Sequence, residues 1–181
     1  MFKNLILAVS LPFTLFTGFA NAKPAEFSKG PVIQHYGQKA QIPGALKSPE
    51  QQQFKIIFDI SEASEKGKIN SSYNTVARFI NMHVAAGVPL ENLDIAMIIH
   101  GKATNEMLVS KQYQQRFDGE DLNADLLAKL LAAEVDIYVC GQSASYYGVA
   151  AADLKPGITM ALSAMTANQL LQQQGYILNP F

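Results

Sequence analysis

The sequence predicts an α/β fold in which a mainly parallel, five-stranded sheet lies between two layers of helices. From residue 54 onward, apolar runs rich in β-branched and aromatic residues alternate with segments of helical period. Parallel neighbours need crossover connections, usually helices, so this alternation favours a sheet covered on both faces. The run 93–99 is nearly all apolar, which is typical of a strand buried on both faces. Strands are predicted at 54–60, 93–99, 135–139, 158–162 and 176–178.

Helical segments fill the intervals between these strands. In the first of them, apolar residues recur at helical spacing from Val76 to Val84. Asn70 or Ser71 can cap its beginning, and Gly87 can end it. Further helices are predicted at 105–117, 122–133, 142–147 and 166–174.

Residues 1–22 are typical of a cleavable signal peptide rather than of folded structure. Lys3 supplies a positive charge before the uncharged, mostly apolar run 5–19, and residues 20–22 form a small-residue A-x-A pattern. Cleavage after this pattern leaves 181 − 22 = 159 residues, which we expect to work in the periplasm or as a secreted protein. No second long apolar segment follows, so we expect no membrane association once the leader is removed.

Residues 23–53 predict an extended N-terminal arm ahead of the domain at 54–181. The arm contains four prolines, which restrict the backbone and remove hydrogen-bond donors, and it shows no apolar period. We expect it to pack in an extended form, and it could lie across a neighbouring subunit.

The charge balance and the residue types argue against several classes of site. Without the lysine of the leader, 14 − 1 = 13 basic residues stand against 15 acidic ones, which does not favour a nucleic-acid surface. The three histidines and the single cysteine lack the spacing of zinc ligands, and no glycine-rich phosphate loop occurs. We therefore expect neither a metal nor a cofactor.

Polar and small residues follow the predicted strands at their carboxyl ends. In a parallel sheet these ends meet at one edge, where α/β proteins form their binding sites. We therefore expect a binding or catalytic site at this edge. The candidate residues are Asp59 after the first strand, His100 and Gly101 after the second, Cys140, Gly141, Gln142 and Ser143 after the third, and Ser163 after the fourth.

Cys140 is the strongest candidate for chemistry at this edge. Because it is the only cysteine, it is an inert buried thiol, a reactive thiol or a link to another chain. A position between a strand and a helix exposes it to unpaired N–H groups and to the positive end of the helix, which stabilise a thiolate. Gly141 would let the backbone approach a ligand closely, and Ser143 could cap the helix.

His100 is a suitable partner for this thiol, since an imidazole can take the thiol proton or stabilise the thiolate. The alternative is a ring that is satisfied by backbone groups at the strand end. Asp59 is either a polar strand end or a part of the site, and Ser163 either caps the next helix or adds a donor. His83 lies on an apolar helical stripe and His35 in the arm, so neither is expected in the site.

The segment 54–181 resembles the DsrE/DsrF-like family, in a subgroup whose members carry signal peptides. The motif 137–143 (IYVCGQS) carries most of the resemblance and is fairly specific. The supporting motifs are 87–93 (GVPLENL), 99–101 (IHG), 161–166 (ALSAMT) and 172–176 (QQQGY).

The resemblance implies a three-layer α/β/α domain with a parallel five-stranded sheet, and homo-oligomers that are commonly trimers or hexamers. Cytoplasmic members of the family pass sulfur between proteins as a cysteine persulfide, and Cys140 matches the position of their sulfur-carrying cysteine. The sheet order of the family implies that the second and third strands are neighbours, which would bring His100 near Cys140.

Three functions remain open on this evidence. The first is an exported sulfur carrier or sulfurtransferase with a persulfide on Cys140, whose pKa His100 tunes. Its partner would be a sulfur-donor or acceptor protein or a small sulfur compound. The second is a non-enzymatic protein that holds a small ligand in the strand-end cleft. The third is a structural oligomer in which Cys140 is inert.

Overall fold

A computed structural model describes residues 24–45 and 49–180 of the protein. The predicted signal peptide and its cleavage point lie outside these described residues. The strands are β1 (Phe54–Ile60), β2 (Leu93–Ile99), β3 (Asp136–Cys140), β4 (Ile158–Ala161) and β5 (Ile177–Leu178). They form a sheet in the order β4-β3-β2-β1-β5, and each neighbouring pair is parallel. The predicted parallel, five-stranded sheet is therefore confirmed.

Helices connect the strands. They are α1 (Ser71–Ala85), α2 (Ser110–Phe117), α3 (Ala124–Ala132), α4 (Gly141–Tyr147) and α5 (Ala164–Gln173). Asn70 is the N-cap of α1, and its side chain accepts the Ser72 N–H at 3.0 Å, so the first of the two predicted caps is the one used. No helix in the described ranges is both long and apolar enough to span a membrane.

The predicted helix at 105–117 is wrong in its first part. Gly101–Met107 forms a 3₁₀ helix, and α2 begins only at Ser110. Between the two, the backbone is extended, and Leu108 forms an isolated antiparallel bridge with Leu154. A pairing between distant segments therefore overrides a weak local preference for helix.

Two helical layers cover the sheet, which confirms the predicted three-layer fold, but they bury it unequally. On one face α1 and α3 enclose a large core, whereas the core on the other face is small and lies under α5. The helix residues buried in the larger core include Tyr73, Val76, Ile80, Leu126, Leu127 and Leu130. The smaller core consists of Ile57, Ala96, Ile98, Ala167 and Leu171. Because this second layer is thin, the large apolar side chains of Met165 and Leu170 on α5 and of Leu178 on β5 remain on the surface.

The described part of the N-terminal arm lies against α1 of the same chain. Ile33 is 2 % exposed and belongs to the larger core. The buried side chain of Asn81, on α1, accepts the N–H groups of Val32 and Ile33 and donates to the carbonyls of Ile33 and Tyr36. Asn81 thus supplies to the arm the hydrogen bonds that a neighbouring strand would otherwise supply.

Candidate functional site

The carboxyl ends of β1, β2 and β3 lie side by side at one edge of the sheet. The register pairs Ile60 with Ile99, and Ile99 with Val139. His100 follows β2 directly and Cys140 is the last residue of β3, so their backbones are neighbours at this edge. Adjacent strands are about 4.8 Å apart, which places two side chains within reach of each other when they point to the same face.

The carboxylate, the imidazole and the thiol of the candidate site stand on the α5 face of the sheet. Residues two apart on a strand line the same face, and the backbones of His100 and Cys140 are both extended. Each of the three stands two positions after a residue in or against the smaller core. The pairs are Ile57 and Asp59, Ile98 and His100, and Tyr138 and Cys140. The fold therefore brings Asp59, His100 and Cys140 together in that order on three adjacent strands.

Cys140 ends β3, precedes α4 and is 6 % exposed. Burial by itself raises the pKa of the thiol, because it disfavours the anion. The backbone N–H and the hydroxyl of Ser143, and the N–H groups of Ala164 and Gln142, oppose this effect, because such donors near the sulfur favour the anion and lower the pKa. The net result is a Cys140 pKa below its ordinary value, so the site favours a thiolate. The Ser143 hydroxyl also accepts the Gly101 N–H at 3.1 Å, which links α4 to the end of β2.

The side chains of His100 and Asp59 form a hydrogen bond at the end of the strands next to β3. The His100 Nε2 atom lies 2.5 Å from Asp59 Oδ1, and both side chains are 32 % exposed. The other carboxylate oxygen of Asp59 accepts a hydrogen bond of 2.7 Å from Nδ2 of Asn168, on α5. Sequence analysis did not single out Asn168, since an asparagine inside a helical segment carries no signal of a partner on a distant strand.

The two glycines of the candidate site allow close packing of the backbone. A Cβ atom on Gly141 would lie 2.7 Å from the carbonyl oxygen of Ala161, so the close approach that this glycine permits is that of β4. Gly101 has a φ of +53°, and a Cβ atom there would lie 2.8 Å from the carbonyl oxygen of Ser61. The sequence suggested ligand contact at Gly141, whereas this space is occupied by the protein's own backbone.

Gln142 and Ser163 form hydrogen bonds that stabilise the beginnings of α4 and α5 on either side of the thiol. Ser163 caps α5, because its hydroxyl accepts the Thr166 N–H at 3.0 Å, and this is one of its two predicted roles. The side-chain amide of Gln142 donates to the Leu162 carbonyl at 3.2 Å. The bond from Gln142 holds the beginning of α4 against the residues that lead into α5, so that the first turns of both helices lie at the end of β3 that Cys140 occupies.

The groove nearest to the site lies on the α5 face of the sheet, and Cys140 is not among the residues that line it. This groove of ≈ 330 Å³ lies between β4 and α5 and is lined mainly by apolar side chains, among them Tyr138 and Leu162. Within residues 24–45 and 49–180, no three His, Cys, Asp or Glu side chains are grouped in a way that could hold a metal ion. A stabilised thiolate, a neighbouring imidazole and several N–H donors suit nucleophilic chemistry at sulfur.

A buried polar cluster centred on Glu106 supports the segment that follows β2. Glu106 is 2 % exposed and belongs to the 3₁₀ helix Gly101–Met107. The donors to its carboxylate are the N–H and hydroxyl of Ser64, the side-chain amides of Asn70 and Asn123, and the hydroxyl of Tyr73. The cluster joins the loop after β1 to the beginnings of α1 and α3. Sequence analysis missed it, because these donors lie 17 to 42 residues away along the chain.

Comparison with known proteins identifies the fold family. The sequence profile of the DsrE/DsrF-like family matches residues 55–180. Among solved structures, the chain is similar to the protein of unknown function MTH1491 from Methanobacterium thermoautotrophicum, with 18% identity and a TM-score of 0.49. That match covers 70% of this chain and 99% of the other. No curated protein matches the sequence. Because the family profile covers well over half of the sequence, the chain belongs to the DsrE/DsrF-like family.

Proposed function

We propose that the protein is an exported, thiol-based sulfur carrier that holds sulfur as a persulfide on Cys140. The observation that carries this proposal is the position of Cys140 at the N-cap of α4, where β3 meets the helix and where the neighbouring donors of Ser143, Gln142 and Ala164 lower the pKa of its thiol. These donors favour the thiolate, which is the nucleophilic form, even though the residue is buried. The resemblance to sulfur-carrying members of the DsrE/DsrF-like family supports the same role for Cys140.

Sulfur transfer through Cys140 is an exchange between sulfur atoms. The Cys140 thiolate attacks the outer sulfur of a donor persulfide, a new sulfur–sulfur bond forms, and the donor leaves as a thiolate. An acceptor thiolate then attacks the outer sulfur on Cys140 and releases the Cys140 thiolate. Each step makes one sulfur–sulfur bond and breaks another, so no oxidant or reductant is consumed. The N–H donors stabilise Cys140 both as nucleophile and as leaving group.

Access to the thiol supports a small sulfur donor or a flexible protein segment as the partner. Only 6 % of Cys140 is exposed, so a single sulfur atom can reach it more easily than a bulky ligand. Nearby, Leu162 and Met165 are 72% and 79% exposed at the beginning of α5. An apolar rim beside a nucleophile suits contact with another protein. We therefore propose a persulfide-bearing protein or an inorganic sulfur compound as the sulfur donor.

Intact-mass measurement of the exported protein tests both export and sulfur loading. We expect the untreated mass to match residues 23–181, because the A-x-A pattern directs cleavage after Ala22. After incubation with inorganic polysulfide, the mass should rise by one sulfur atom, which a dithiol should then remove. The gain can be assigned directly, since Cys140 is the only cysteine.

The matched control is Cys140→Ser, which keeps the size and the hydrogen-bonding capacity of the side chain and should take up no sulfur. An intact leader would contradict export. No sulfur gain in a native protein whose Cys140 still reacts with an alkylating reagent would favour the ligand-binding alternative. A thiol that reacts only after denaturation would favour the structural oligomer.

We also propose that the protein forms a homo-oligomer through the α5 side of the sheet. Among the described residues, β4 and β5 are the two edge strands of the sheet, and apolar side chains of the α5 side are exposed in the single chain. They are Leu162, Met165, Leu170 and Leu178. Exposed apolar surface next to open strand edges is a feature of subunit interfaces, and the family resemblance implies trimers or hexamers.

Light scattering at micromolar concentration should give a mass of three or six chains for the wild type. Leu170→Glu should lower it, because a buried carboxylate would oppose association. Ile42→Glu is a suitable control, since Ile42 is 65 % exposed on the arm, away from this side. A monomeric wild type, or equal dissociation by both variants, would contradict the proposed interface.

A further inference from the structure

The pairing of His100 with Asp59 determines which ring nitrogen can act on Cys140. Asp59 Oδ1 lies 2.5 Å from His100 Nε2. An ionised carboxylate only accepts hydrogen bonds, so Nε2 carries the proton in this pair. In the neutral ring, the acceptor lone pair is then on Nδ1, on the side of the ring away from Asp59.

Asn168 holds the second oxygen of the same carboxylate. Its Nδ2 atom donates to Asp59 Oδ2 at 2.7 Å, while its Oδ1 atom is buried and has no hydrogen-bond partner within the described ranges. A buried acceptor without a partner is unfavourable. The amide therefore keeps this orientation because Asp59 accepts from it, and the Asp59 carboxylate is fixed from both β2 and α5.

The imidazole of His100 stands next to the thiol in the strand register, and both side chains point to the α5 face. Four elements bring polar groups to this edge of the sheet. Asp59 on β1 bonds the ring, Asn168 on α5 bonds Asp59, and Ser143 on α4 accepts from the residue after His100, while Cys140 ends the neighbouring strand β3. Of these four groups, Asp59 and Cys140 can ionise.

We infer that Asp59 is a positioning residue for the Cys140 nucleophile and that it acts through His100. Asp59 keeps the proton of the neutral ring on Nε2, so that Nδ1 accepts the proton of the Cys140 thiol. The S–H bond breaks, an Nδ1–H bond forms, and the electron pair stays on sulfur. The product is a thiolate beside an imidazolium whose charge Asp59 balances. This inference rests on the proposed function, because it names the groups that produce the nucleophile.

An exchange of the side chains at positions 59 and 168 tests this assignment without changing the net charge. In D59N, the new amide at position 59 has a single acceptor oxygen. Two donors face it, the Asn168 amide and the His100 Nε2–H. We expect it to turn its own NH₂ group toward the ring, which moves the ring proton to Nδ1. In D59N/N168D, the carboxylate at 168 accepts from the amide at 59, whose oxygen can again accept from Nε2–H.

Two measurements follow the ring and the thiol separately. Nitrogen NMR, assigned to His100 with an H100Q variant, should show the Nε2–H tautomer in the wild type and in D59N/N168D, and the Nδ1–H tautomer in D59N. Near pH 7, alkylation of Cys140 by iodoacetamide should be about tenfold slower in D59N, which corresponds to about one pKa unit, and should recover in the exchange variant. D94N is the control, because Asp94 pairs with Lys55 at the opposite end of the sheet.

An Nδ1–H tautomer in the wild type would overturn the inference, and so would an alkylation profile that D59N leaves unchanged. If alkylation of Cys140 is slow in D59N and remains slow in D59N/N168D, Asp59 has only a structural role. Sulfur loading separates this inference from the proposed function. If the wild type and D59N form the persulfide equally well, only the role of Asp59 is overturned. If alkylation is slower in D59N but neither the wild type nor any variant takes up sulfur, only the proposed function is overturned.

Discussion

Replacing Glu106 with alanine should lower the free energy of unfolding by about 3–5 kcal/mol, because several buried donors would lose their common acceptor. The carboxylate accepts from Ser64, Asn70, Tyr73 and Asn123. Each donor that stays buried without a partner costs about 1–3 kcal/mol, and water entering the space recovers a part of this. Urea unfolding with linear extrapolation measures the change.

Glu106→Gln is the informative companion variant. It preserves the volume of the side chain and one acceptor oxygen, but its NH₂ group would face other donors. We therefore expect a free energy of unfolding between those of the wild type and Glu106→Ala. Glu120→Ala serves as the control, because Glu120 is exposed and should change stability by about 0.5 kcal/mol or less. A loss below about 1 kcal/mol for Glu106→Ala would contradict the cluster's role in stability.

Replacing Asn81 with alanine should detach the N-terminal arm and cost about 2–4 kcal/mol of stability. The variant removes the acceptor for the Val32 and Ile33 N–H groups and the donor to carbonyls of the arm. It also leaves a cavity next to the core residue Ile33, which is 2 % exposed. Limited proteolysis should then cut within residues 24–45, and amide exchange of the arm should accelerate.

Asn74→Ala provides a graded comparison for the arm. Asn74 also lies on α1, but its side chain accepts a single hydrogen bond from the arm, the Gly37 N–H at 2.7 Å. We therefore expect a smaller loss of stability and slower proteolysis than with Asn81→Ala. Equal protease resistance in the wild type and Asn81→Ala would show that the other contacts of the arm, among them those of Ile33 and Gly37, are sufficient to hold it.

The sequence by itself determined the elements whose signals are local. Alternation and apolar runs indicated the strands, and the recurrence of apolar residues from Val76 to Val84 indicated α1. These signals are local, because the periods of strands and helices relate residues only two to four positions apart. The parallel order then placed the carboxyl ends of the strands at one edge, so the candidates Asp59, His100 and Cys140 could be named from their positions after strands.

Only the tertiary structure decided the partners of these residues. Asn168 lies 109 residues from Asp59 along the chain, and no local pattern encodes their contact. Leu108 is extended because it pairs with the distant Leu154, although its segment has a weak helical pattern. Partners of this kind depend on the order of the strands and on the face that each connection crosses. Those features arise from the burial of the whole sheet, which is a property of the complete chain rather than of any short segment.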